Sequence, residues 1–183
     1  MPRFIVLLRG VNVGKGKRVP MADFKALLEA QGYTDVKTLL NSGNAVFTST
    51  GRSAAKHAAA VAAAVQLGLG VTTSAIVKSA AELSAIIQAS PIVPPAAEHS
   101  RFLVAFAHSP EALQTLLPLP ALVQAPERFV VTAEAAFLHC PGGLLESKVG
   151  EALLGKTGKA VTTRNWARVL KLAALVGAAP QAH

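Results

Sequence analysis

The stretch Val36-Lys37-Thr38-Leu39-Leu40-Asn41-Ser42-Gly43-Asn44-Ala45-Val46-Phe47-Thr48 decides how this chain is read. Residues 36–40 and 45–48 are runs of strand-forming side chains. The four residues between them, Asn41 to Asn44, are all turn formers, so the stretch predicts a β-hairpin. Upstream, Pro20 opens a helix with the apolar stripe Met21, Phe24, Leu27 and Leu28, which Gly32 stops. Before it, residues 4–8 are apolar on both faces, Phe4/Val6/Leu8 and Ile5/Leu7, as a central strand covered on both sides requires. Downstream, Ser53 caps an alanine-rich helix running to about residue 67, and residues 72–78 read as a strand. The order is βαββαβ.

Beyond this half, Ser79-Ala80-Ala81-Glu82 has capping-box spacing and opens a helix with Leu83, Ile86 and Ile87 on one side. Ser90-Pro91-Ile92-Val93-Pro94-Pro95 ends it. The pattern then partly repeats, since Arg101-Phe102-Leu103-Val104 echoes Arg3-Phe4-Ile5-Val6. A capped helix from Ser109-Pro110, strands at 128–132 and 135–140, and a helix from about 163 to 176 follow. That last helix turns Trp166, Val169, Leu170 and Ala173 inward. The second half therefore reads βαββα, without a last strand. The expected fold is α+β, with a first half at 1–78, a helix and proline-rich connector at 79–100, and a related half at 101–183. Both halves are of βαββα type with mainly antiparallel sheets, and one compact unit formed by the two is the alternative to separate halves.

The 183 residues suffice for one ordinary domain or two small halves. A hydrophobic share of 51% excludes intrinsic disorder, although 35 alanines supply much of it. One cysteine excludes a disulfide framework and a cysteine-based zinc site. The apolar run at 4–8 is too short for a signal peptide, and no run approaches the roughly 18 residues of a membrane span. A cytoplasmic protein of bacterial kind, with no membrane partner, is expected. The histidines His57, His99, His108, His139 and His183 have no metal-ligand spacing, so no metal or cofactor is expected. His139 and Cys140 are neighbours on a strand and point to opposite faces, which argues against a dyad.

Charge supplies the functional signal. Lys plus Arg number 18 against 10 Asp plus Glu, a formal net charge of +8 at pH 7. The loop Gly10-Val11-Asn12-Val13-Gly14-Lys15-Gly16-Lys17-Arg18 follows a strand and offers glycine N–H groups. With Arg9 it carries four cations and no acid before Asp23, which suits an anion. Its glycine spacing is not that of a nucleotide phosphate loop. Residues 150–157 match that pattern letter for letter, yet Glu151-Ala152-Leu153-Leu154 is helix-forming and no strand precedes it. A helix end is expected there. Thr162-Thr163-Arg164-Asn165-Trp166 reads as a helix start with a threonine cap, placing Arg164, Arg168 and Lys171 on one face beside its positive end.

Three separated motifs carry a resemblance: residues 8–14 with Val19-Pro20-Met21, the hairpin 40–44 with Val46-Phe47, and residues 162–166 with 169–172. Together they resemble the bacterial family known as domain of unknown function 1697, over nearly the whole chain. The resemblance implies a compact cytoplasmic α+β protein with ferredoxin-like halves, and it implies no activity. It marks Arg9, Gly10, Asn12, Gly14, Ser42, Gly43, Asn44, Thr163, Arg164, Asn165 and Trp166. Residues 150–157 are not part of its pattern.

Three readings of function stand at this point. The first is a module binding nucleic acid or another polyanion through Lys15, Lys17, Arg18, Arg164, Arg168 and Lys171. Against it, aromatics are only 5% of residues, and 43–47 lacks the stacking rings of an RNA-recognition motif. The second is an enzyme or sensor for a small phosphorylated or carboxylated metabolite, with Arg9, Asn12, Ser42, Asn44 and Arg164 as its pocket; no general base or nucleophile stands out. The third is a homo-oligomeric interaction protein, a homodimer in its simplest form. The expectation common to the binding readings is that Arg9, Asn44 and Arg164 line one cleft.

Overall fold

In a computed structural model, residues 1–178 are described, and His183 lies outside them. The central strand expected at the N-terminus is β1 (Arg3–Leu8), hydrogen-bonded on both sides. It is followed by α1 (Met21–Ala30), β2 (Thr34–Leu39), β3 (Asn44–Thr48), α2 (Ala54–Leu69) and β4 (Ala75–Ser79). The strands form an antiparallel sheet in the order β2-β3-β1-β4. Phe4, Val6 and Leu8 pack with Phe24, Leu28, Val61 and Val65 of the helices, each side chain's burial stabilising by about 1.5–3 kcal/mol. Ile5 and Leu7, on the other face, are also fully buried. Inside this layer Phe4 and Tyr33 stack on Phe47, and His57 meets Phe4 and Tyr33 edge to face. His57 Nε2 donates to Gly51 O (2.8 Å), so Nδ1 accepts from the Tyr33 hydroxyl (2.9 Å).

The expected capping box is present. Glu82 N donates to Ser79 Oγ and Ser79 N to Glu82 Oε1, both at 3.1 Å, at the start of α3 (Ala80–Ala89).

The second half runs β5 (Phe102–Ala107), α4 (Pro110–Gln114), β6 (Arg128–Val131), β7 (Ala136–His139), α5 (Lys148–Leu154), β8 (Val161–Asn165) and α6 (Trp166–Val176). Its antiparallel sheet has the order β6-β7-β5-β8, the same ferredoxin-like arrangement as the first. The expectation of no last strand, and of a helix starting at Thr162, is corrected. β-Branched Val161, Thr162 and Thr163 pair with β5, and the helix begins after Asn165, whose Oδ1 accepts from Arg168 N at 3.0 Å. Residues 150–157 contribute most of α5, whose cap is Ser147, and Gly150 is buried against Leu144.

The repeat has a register that its letters conceal. Phe4 faces the helices of its half, but Phe102 lies on the other side of its sheet, against Phe137 and Trp166. Leu103 faces the helices instead. Phe4 is opposite Ser79 and Leu103 opposite Asn165, and both partners cap the next helix. The structural repeat thus matches Phe4 to Leu103, one residue out of step with the Arg-Phe echo.

The chain divides into two compact units, Met1–Leu83 with Leu172–Ala178, and Ser84–Lys171. The division falls inside α3 and inside α6.

Candidate functional site

Residues 9–20 connect β1 to α1, whereas in the second half only residues 108–109 connect β5 to α4. The same fold element is closed by a two-residue link in one half and a twelve-residue loop in the other. At its root, Arg9 N donates to Ser74 O (3.0 Å), and Arg9 O accepts from Thr73 Oγ1 (2.7 Å). The backbone then turns left-handed at Gly10, Asn12 and Gly14, with φ of 57° at the one residue that is not glycine.

Asn12 holds the loop in shape. Its Nδ2 donates to Val19 O (2.8 Å) and to Asn41 O (2.7 Å), and its Oδ1 accepts from Val19 N (2.8 Å). The backbone adds Asn12 N to Lys17 O (2.7 Å). One side chain therefore closes the loop's two ends and ties it to the β2–β3 turn. Beneath it, Val11 is buried against Gly43, where a Cβ would stand 2.7 Å from Val11 Cγ2 and 2.8 Å from Leu8 Cβ. Gly43 also has a φ of 76°, so both space and backbone require glycine.

The first two motifs thus meet at one end of the first sheet. Their residues have different surroundings. Gly10, Gly14 and Lys15 are exposed with Lys17 and Arg18, and Arg9 and Ser42 are half-buried. The Arg18 guanidinium folds back to donate to Gly14 O. Gly43 and Asn44 are buried. Asn44 is the first residue of β3, and its Nδ2 donates to Leu39 O (3.1 Å) across the mouth of the turn.

The third motif, up to Lys171, belongs to the second unit. Thr163 is half-buried on β8. Arg164 is 5% exposed, and its Nη1 donates to Thr162 Oγ1 and Thr163 O, each at 2.8 Å. Burial pushes its guanidinium down to about 10, and nearby Arg168 adds in the same direction. Asn165 is a cap, Trp166 is core, Arg168 is half-buried and Lys171 exposed. The expected cationic helix face is corrected, because Arg164 stands on a strand and only Arg168 and Lys171 lie on α6.

The register of the repeat singles out Lys78, which sequence reading passed over. Lys78 is opposite Ile5 as Arg164 is opposite Val104, each one residue before a helix cap. Burial lowers the Lys78 ammonium, and Glu82, 3.9 Å away, raises it by less. His139 and Cys140 do point apart. His139 lies by Phe102 and Glu98 Oε2 (3.5 Å), while Cys140 packs on the helix side, where burial raises its thiol. Among the described residues no three His, Cys, Asp or Glu could together hold a metal ion, and no helix is long and apolar enough to cross a membrane.

No curated protein matches the chain. Among solved structures it is similar to the conserved bacterial protein SP0830 from Streptococcus pneumoniae, with 21% identity, a TM-score of 0.78, and coverage of 96% of this chain and 98% of that one. That likeness concerns the fold. A family model matches residues 1–137, which include the β1–α1 loop and the hairpin and stop short of the third motif. With three quarters of its length matched, the chain belongs to the family described as protein of unknown function (DUF1697).

Proposed function

We propose that the protein is a binding module for a phosphate-bearing polyanion, and that the β1–α1 loop is its contact surface. The observation that carries this reading is the asymmetry of the two halves. A ferredoxin-like half closes here with residues 108–109 alone, so the longer loop is not demanded by the fold. Long, shaped loops on a rigid scaffold are where binding residues concentrate. This one presents Lys15, Lys17 and Arg18 to solvent in a chain of net charge +8. Asn12 holds its conformation, so little ordering entropy is lost on contact.

A small-metabolite pocket fits less well. Asn12 and Asn44 spend their amides on Val19, Asn41 and Leu39, inside the scaffold. Arg164 is buried and already donates to Thr162 and Thr163.

The test is the salt dependence of binding to duplex DNA and single-stranded RNA of arbitrary sequence. Each lost phosphate contact lowers the slope of log K against log salt by about 0.7–0.9. Lys15→Ala, Lys17→Ala and Arg18→Ala combined should flatten it by about two units and weaken all sequences alike. An unchanged slope, or a parent that at about 50 mM salt binds neither nucleic acid nor any other phosphate-bearing polyanion, refutes the proposal.

A further inference from the structure

The loop brings exposed aliphatic surface together with its charge. Val13 is 66% exposed and Leu40 49%. Leu40 also holds a φ of 58°, a backbone that disfavours a bulky side chain. The Asn12–Asn41 hydrogen bond joins the loop to the turn that carries Leu40, and Gly16 N donates to Val13 O (3.1 Å), so Lys15 sits in the same tight turn as Val13. Two exposed aliphatic residues, one on a left-handed backbone, therefore share one loop-and-turn cluster with three exposed cations.

Resting on the anion-binding reading, we infer that this loop docks on the surface of an anionic lipid bilayer. Lys15, Lys17 and Arg18 would lie on the phosphates while Val13 and Leu40 enter the headgroup layer. Each feature matches what an interface of that kind offers: negative potential for the cations and apolar depth for the aliphatics. Nucleic acid accounts for the cations alone. Its bases stack on rings, and residues 9–19 and 40–44 contain none. The expectation of no membrane partner rested on the length of apolar runs, which bears on spanning and not on contact from one side.

The experiment is co-sedimentation of the full chain with phosphatidylserine–phosphatidylcholine vesicles and with phosphatidylcholine vesicles. Duplex DNA and single-stranded RNA binding are measured at the same salt. The variants are Val13→Ser with Leu40→Asn, and the loop trio to Ala. Asparagine tolerates the left-handed backbone at position 40, so the first variant keeps its fold. The parent should bind the anionic vesicles and not the neutral ones. The aliphatic variant should lose about tenfold or more on vesicles and nothing on nucleic acid. The cation variant should lose about a hundredfold on vesicles and weaken on both. An aliphatic variant that binds anionic vesicles as the parent does overturns the lipid inference. So does a parent that binds nucleic acid but not vesicles, and in that case the polyanion reading survives. A parent that binds neither overturns both.

Discussion

Asn12 carries the shape of the proposed contact loop, and its replacement by aspartate isolates that role. Aspartate is nearly isosteric and keeps the acceptor for Val19 N. It turns the amide nitrogen into an oxygen facing Val19 O and Asn41 O at the 2.8 and 2.7 Å now spanned by hydrogen bonds. Two bonds worth about 1 kcal/mol each are lost, and acceptor–acceptor repulsion replaces them. The neighbouring cations Lys15, Lys17 and Arg18 are exposed, so their attraction for the new charge is screened and offsets at most about 1 kcal/mol. Alanine loses all three bonds and adds a left-handed backbone penalty of about 1 kcal/mol, which glycine avoids. The expected losses are about 3 kcal/mol for Asn12→Gly and Asn12→Asp and about 4 for Asn12→Ala. Urea unfolding measures them, and limited trypsin digestion at Lys15, Lys17 and Arg18 reports the loosened loop. Asn12→Asp within about 0.5 kcal/mol of the parent and equally resistant to trypsin would refute the brace.

Gly158→Ala places a Cβ 1.7 Å from Leu153 O, a backbone atom that cannot move aside, and should cost about 3 kcal/mol or more in thermal unfolding. Gly142→Ala, with nothing within 4 Å, is the neutral control. Tyr33 is the chain's only tyrosine, and burial raises its phenol above the ordinary 10.0. Its phenolate absorbance in the folded protein should appear only above that value. The unfolded chain then loses the proton first, so stability should fall as pH rises through 10 toward the folded value, and Tyr33→Phe should remove that alkaline loss.

Much of the fold is legible in the sequence because local signals agree with it. The hairpin turn, the Ser79–Glu82 box and the Ser109 cap are all sequence patterns whose bonds are present. β8 was missed because Thr162-Thr163-Arg164-Asn165 is built from residues that also cap helices, and only pairing with β5 decides between the two. The Arg-Phe echo misled by one residue, since a repeat of letters does not specify which face a side chain takes. At the candidate site the sequence marked a loop and a turn that meet at one end of the first sheet. It could not tell which polar residues face inward, because the acceptors of Asn12 and Asn44 are backbone carbonyls, which no residue type announces.

The division of labour around Asn12 has an evolutionary consequence. The side chains that hold the loop and its turn (Asn12, Val11, Asn44, with Gly43 beneath) are turned into the scaffold, whereas Val13 and Lys17 lend that frame only backbone carbonyls and their side chains, with that of Lys15, meet solvent. Exchanging the outward set alters charge and greasiness without disturbing the bracing. With the loop as the proposed contact surface, relatives that keep the inward set can change what they bind through drift at three or four surface codons, and members of one family need not share a partner.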